Sequence, residues 1–295
     1  TDFGATFRRI DGSLTGEVVH TLTEDTRNAD VLYAGTESGI FLTLDRGASW
    51  RRLRANFPTV RVDEITIHPR DNAMLVASHG RAIWVLDHLE PIQEYGSTQS
   101  AAARLFSVPT ALQWKAMDNR NDEFWGHQTF IGENPPTEAV ISFHVRTPPQ
   151  ALLVRISSGA RVIREITVPA AKNKAGIQTV CWDQRVAPIV GAPAVGGGGG
   201  GGGGGQFGAQ GGTRPPAVPG VPVALPEAGY KPLNPCAVAV PGAGGPGGGG
   251  GGFGGFGGGG NVGPYATPGD YTVSLVADGN IVDTKPMRVV MDPEV

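Results

Sequence analysis

His79, Arg81 and Trp84 place an imidazole, a guanidinium and an indole within one short strand-like stretch, a set able to stack on a sugar or clamp a carboxylate. The same residues also suit a plainer arrangement, with Trp84 in a core and Arg81 tying down a neighbouring loop. Glu24, Asp25, Glu37, Asp63 and Glu64 are the acids from which a glycosidase would need a facing pair, about 5 to 9.5 Å apart. Nothing in their spacing selects a pair, and exposed acids on loops are ordinary. A sialidase-like site would also need several arginines and an activated tyrosine; Arg81 and Tyr33 are available individually but not as an identifiable constellation. His20, His68, His79, His88, His127 and His144 are dispersed with no HExxH, so zinc is not indicated. The acid-and-amide run from Asp118 to Glu123 lacks the glycine and terminal glutamate of an EF-hand loop. No Gly-x-Ser-x-Gly elbow supports an acyl-transfer serine. GxGxxG arises only inside glycine runs, with no strand before it and no helix after it. No catalytic residue, metal or cofactor is therefore expected.

Any such side chains would be carried by a repeat. The segment Asp2-Phe3-Gly4-Ala5-Thr6-Phe7-Arg8-Arg9-Ile10 returns 43 residues later as Asp45-Arg46-Gly47-Ala48-Ser49-Trp50-Arg51-Arg52-Leu53. Both read Asp-x-Gly-x-Ser/Thr-aromatic. The motif is a folding clip: Asp2 and Asp45 accept N–H groups across a turn, while Gly4 and Gly47 supply the unusual backbone. Thr6 and Ser49 close the loop, and Phe7 and Trp50 plug a core. Val19, Leu22, Leu32 and Ala34 likewise fall 43 residues before Val62, Ile65, Leu75 and Ala77. A period of about 40 to 45 residues filled with short strands is the signature of β-propeller blades. Two repeats are visible and closed rings need about four blades or more, so further blades are expected upstream, in the same protein or an associated chain.

Composition bounds the rest. The 295 residues include 46 glycines, concentrated in runs such as Gly196 to Gly205. A net charge of −3 argues against nucleic acid, and the cluster Arg51, Arg52, Arg54 reads as solvated outer-strand charge. No apolar run reaches the 18 or so residues of a membrane span. Residues 1–95 read as blades and 96–135 as a connector, with Leu105 to Val108 a strand returning to the propeller. Residues 136–295 read as a β-sandwich interrupted by a Gly/Pro-rich insertion over 191–263, whose Phe207, Phe253 and Phe256 are isolated apolar residues. The fold class is all-β. Cys181 and Cys236 pair across the insertion if the chain is exported, and otherwise are small buried hydrophobes.

The two clips resemble the Asp-box, or BNR, repeats of bacterial sialidases, xyloglucan-active hydrolases and the sortilin propeller. Ser78 to Asp87, followed by Leu89-Glu90-Pro91-Ile92, is similar to the closing blade of sortilin-type propellers in large secreted bacterial proteins. Gly132 to Pro136 resembles the opening of their C-terminal domain. Gly176 to Asp183, Pro268 to Val273 and Met291-Asp292-Pro293 resemble the FlgD-type immunoglobulin-like domain that ends them. The resemblance implies an extracellular, cell-surface or periplasmic location. It also implies a non-catalytic binding or assembly portion that recognises a polypeptide or glycan through propeller loops. The alternative is part of a glycoside hydrolase whose carboxylates lie mainly in upstream blades.

Overall fold

The computed structural model describes residues 3–54, 56–114, 136–187, 236 and 263–293. The chain is all-β, and its strands form two units of two sheets each. Asp2, the run 118–123, His127, the segment 132–135 and, apart from Cys236 and Gly263, the insertion with its three phenylalanines lie outside the described residues.

The first unit begins with the antiparallel meander β1 (Val19–Glu24), β2 (Leu32–Thr36), β3 (Ile40–Thr43) and β4 (Arg51–Arg52). A second meander follows, of β5 (Val62–His68), β6 (Ala73–Ser78) and β7 (Ile83–Leu86). Tyr33 and Ile40 from the first sheet and Val62, Ile65, Ile67, Met74 and Val76 from the second share one core. Alternating apolar residues on short β-branched strands produce these facing layers, because successive side chains point to opposite faces. The sequence led us to expect two four-stranded sheets, but the second has three strands.

The repeat also changes register internally. Leu22 pairs with Ala34, whereas Ile65 pairs with Val76, so β6 is offset from β2 by 42 residues rather than 43. The turn after β5 is one residue shorter than the turn after β1, and the next hairpin is one longer, so Phe41 and Trp84 are again 43 apart. Leu32 and Ala34 therefore correspond to Met74 and Val76, not to Leu75 and Ala77.

Two single helical turns follow, α1 (Glu90–Gln93) and α2 (Tyr95–Thr98). Pro91 lies in the first turn of α1, where a missing N–H breaks no helical bond. Among the described residues no helix is long and apolar enough to cross a membrane.

In the second unit β8 (Ala103–Leu105), β10 (Ala139–Val145) and β13 (Gly176–Trp182) form one sheet in the order β13-β10-β8. β9 (Ala111–Gln113), β11 (Leu152–Ser158), β12 (Arg161–Thr167), β14 (Gly269–Ala277) and β15 (Asn280–Met291) form the other. Its order is β12-β11-β14-β15-β9. Ile141, Phe143, Ile156, Trp182 and Leu275 are fully buried in the core the two sheets share. Asp278 and Gly279 both have positive φ, 48° and 81°, matching the primed turn that suits strand twist. The expected connector is thus partly a component of this unit. Leu105 does not return to the first unit but pairs with Phe143, and Ala111 pairs with Val289.

The units meet around α2. The Glu94 carboxylate accepts the Ser107 N–H at 3.1 Å and lies 3.9 Å from Lys285 Nζ. The Tyr95 ring packs edge-on against His144 with centroids 5.5 Å apart. A disulfide joins Cys181 on β13 to Cys236. Intact mass spectrometry is expected to show a gain of two hydrogens on reduction; an unchanged mass would exclude the bond.

Candidate functional site

A cluster of charged and imidazole side chains lies where β1 and β5 begin and their partner hairpins turn. Each of these strands carries a β-bulge there, at His20 between Val19 and Thr21, and at Asp63 between Val62 and Glu64. A bulge leaves one residue out of the pairing and re-aims its side chain. His20 Nε2 thereby reaches Glu37 Oε2 at 2.6 Å. In the second sheet Asp63 Oδ2 meets His79 Nδ1 at 3.1 Å, and Asp63 Oδ1 accepts from Arg61 Nε at 2.6 Å. Matching backbone bonds hold the two hairpins, Glu37 N–H to Val18 O at 3.0 Å and His79 N–H to Arg61 O at 2.9 Å. These are one structural pair with acid and base exchanged. His20 was visible in the sequence only as a scattered histidine; its place 43 residues before Asp63 was the usable signal.

The hydrogen bond from His79, then Arg61, holds the Asp63 carboxyl below its ordinary range. Ser38 Oγ donates to Glu17 at 2.8 Å, and Arg52 Nη2 donates to Thr59 Oγ1 at 2.9 Å, so polar groups from both sheets line this end. Among the described residues neither imidazole is hydrogen-bonded to a hydroxyl or thiol, and no cluster of His, Cys, Asp and Glu could hold a metal ion. The cluster has charged donors and acceptors but no nucleophile relay.

The trio His79, Arg81 and Trp84 is divided between surface and core. The His79 side chain is 72% exposed, while the half-buried Trp84 packs edge-on against Phe57 at 5.3 Å and donates its indole N–H to Arg81 O. The five candidate acids are divided as well. Glu24 and Asp25 lie at the far end of β1, and Glu37 and Asp63 are each engaged by a histidine. Glu64 accepts from Thr66 Oγ1. Tyr33 is fully buried and donates to Asp25 Oδ2 at 2.9 Å; burial, then the Asp25 charge, raises its phenol above the ordinary value, the reverse of an activated nucleophile.

The second clip works mechanically. Asp45 Oδ1 accepts the Ser49 N–H at 2.8 Å and the Thr43 hydroxyl at 2.6 Å, and Asp45 Oδ2 accepts the Ser49 hydroxyl at 2.6 Å. Arg46 and Gly47 take φ of 57° and 85°, and Trp50 is buried. The Ser49 side chain first, then Thr43, lowers the Asp45 carboxyl to about 2. Its folded value lies below the unfolded one of about 3.9, so the stabilisation is present above pH ~4 and lost as pH falls through ~2. Urea midpoints of wild type and Asp45→Asn are therefore expected to converge between pH ~4 and ~2. A gap that does not change with pH would contradict the clip. Of the first clip, Phe3 and Gly4 repeat the backbone at 56° and 84°, but Phe7 is 93% exposed.

Comparison of the chain with protein-family models, with curated proteins and with solved structures gave no match.

Proposed function

We propose that the two meanders of the first unit are neighbouring blades of a BNR, sortilin-type β-propeller and that the second unit is a FlgD-type immunoglobulin-like sandwich. On this reading the chain is the non-catalytic binding or assembly portion of a secreted or cell-surface protein, recognising a polypeptide or glycan through its hairpin-end loops. The observation that carries the recognition role is the repeated His–carboxylate pair at one end of both sheets, with charged groups exposed and, among the described residues, no hydroxyl or thiol attached to either imidazole. The blade reading is supported by the repeated bulge and by consecutive sheets sharing a core. For the sandwich, Tyr271 near the start of β14 donates to Thr267 O, in the manner of a tyrosine corner, and its ring packs against buried Trp182. The Cys181–Cys236 bond supports an oxidising compartment.

Glycan and peptide arrays probed with the full chain are expected to yield a captured ligand whose retention falls at least ~10-fold in Glu37→Ala/His79→Ala. Arrays that capture nothing would remove the recognition role. Release of reducing sugar from a polysaccharide, abolished in Glu37→Ala or Asp63→Ala, would replace it with a hydrolase.

A further inference from the structure

Two faces of the first unit lie open, and each repeats a face that is already covered. The outer face of the β1–β4 sheet presents Val19 and Leu22, 46% and 52% exposed. They border an apolar hollow of about 380 Å³ shared with Ile10, Leu14, Ala34 and Trp50. The repeats of Val19 and Leu22 are Val62 and Ile65, which are 0% and 3% exposed because they press on the β1–β4 sheet. The outer face of the β5–β7 sheet presents Leu75, Ala77, Ile83 and Val85, the last two 69% and 59% exposed. In the register of the structure these repeat Tyr33, Gly35, Ile40 and Leu42, which form the covered side of the first sheet. Thus one open face has the character of the inner face of β5–β7, and the other that of the inner face of β1–β4. They are complementary halves of the contact already made within the chain.

Strand pairing points the same way. β4 follows Trp50 and pairs with β3, whereas β7, the repeat of β3, is an edge strand among the described residues. Residues 5–10, Ala-Thr-Phe-Arg-Arg-Ile, repeat the Ala-Ser-Trp-Arg-Arg-Leu segment that contains β4, yet belong to no strand. Their turn is already set, since Phe3 and Gly4 match Arg46 and Gly47 within a degree. Leu14 packs beside Phe41 just as its repeat Phe57 packs beside Trp84, so the segment leaving this strand already lies where a neighbouring sheet requires it.

We infer that a second copy of this chain docks head to tail, its β1–β4 sheet on the outer face of β5–β7, with its residues 7–10 adding a fourth strand to β7. The inference rests on the blade reading. Repeating the pairs Phe41–Arg52 and Leu42–Arg51 puts Arg9 of the incoming copy opposite Trp84 and Arg8 opposite Val85. Phe7 then turns to the side of Trp84 and Leu86. A Cβ on Gly35 would lie 2.6 Å from Val62, and Ala77 holds the equivalent place, so the copies stand slightly further apart there. The contact is heterologous; a ring of about four to eight sheets corresponds to about two to four copies.

Sedimentation of the full chain over rising concentration is expected to show multiples of the single-chain mass. Leu22→Glu and Val85→Glu each spoil one open face at a side chain that is itself exposed, 52% and 59%. Either variant alone is expected to be a single copy, and an equimolar mixture is expected to form dimers and stop there. Phe7→Asp is expected to weaken association at least ~10-fold. Wild type that remains a single copy at every concentration, or assembly unchanged in either face variant, would overturn the docking, and unchanged assembly in Phe7→Asp would overturn the added strand. Capture on the arrays does not depend on this contact, and a single-copy protein that still binds ligand would fail the docking alone.

Discussion

Asp25→Ala is expected to destabilise the first unit by about 3–4 kcal/mol, because one buried carboxylate satisfies donors from several separate segments. Asp25 is 4% exposed. Its Oδ1 accepts the N–H groups of Arg27 and Asn28 at 2.8 and 3.0 Å, fixing the turn after β1. Its Oδ2 accepts the Tyr33 hydroxyl, and both oxygens lie within 3.0 Å of Gln93 Nε2 on α1. Gln93 in turn bonds to Asn72 at the turn after β5, and Asn72 donates to the buried Glu90 at 2.8 Å. The network therefore bolts both meanders to the helical turn that leads into the second unit. Removing the carboxylate leaves the Tyr33 hydroxyl and two backbone N–H groups without this acceptor, and Gln93 Nε2 with Asn72 Oδ1 alone; each buried loss of this kind costs about 1–3 kcal/mol before water enters the void. Glu24→Ala, one residue away on an exposed strand end, is expected to change stability by no more than about 0.5 kcal/mol. Urea unfolding measures both, and adding Tyr33→Phe to Asp25→Ala is expected to recover part of the loss by removing one orphaned donor. Equal stability of Asp25→Ala and wild type would show that the network bears no load.

The contrast between Asp25 and Asp45 shows what a linear reading can reach. Asp45 bonds to Ser49 and Thr43, all within a few residues, so its role was legible as a turn motif. The turn bonds of Asp25 to Arg27 and Asn28 are as local as those of Asp45, but its bonds to Gln93 and, through it, Asn72 join segments far apart in the chain and leave no local mark. The bulges at His20 and Asp63 were hidden for a related reason. A bulge is a mismatch between two strands, and an intact 43-residue spacing conceals compensating changes of one residue in successive turns. The three-residue strands β8 and β9 are too short to carry an alternation of their own; their pairing is decided by β10 and β15. Longer alternating runs, such as Leu152–Ser158, carried their own evidence.

Trp50→Ala is expected to cost about 3–5 kcal/mol, whereas Phe7→Ala in the single-copy protein is expected to stay within about 0.5 kcal/mol, although the sequence presents them as one residue repeated. Trp50 is 6% exposed, lies with Leu14 and Ala34, and donates its indole N–H to Ile10 O at 2.7 Å. Truncation there leaves a cavity and an acceptor without its partner. The glycines of the two clips separate in the same way. A Cβ on Gly47 would lie 2.6 Å from Ile10 Cβ and 2.7 Å from Ile10 O, in addition to the strain of φ 85°. Among the described residues, a Cβ on Gly4 at φ 84° would meet only the Phe7 ring, at 3.7 Å. Gly4→Ala is therefore expected to cost only the left-handed backbone penalty of about 1–2 kcal/mol, and Gly47→Ala clearly more. Paired urea midpoints for the four variants measure the asymmetry. Equal losses at both clips would mean that residues 3–10 are already packed in the isolated chain, which the 93% exposure of Phe7 contradicts. A loss on truncating the aromatic residue that is confined to Trp50 identifies the first clip as a finished turn whose Phe7 is left without a hollow in the single-copy protein.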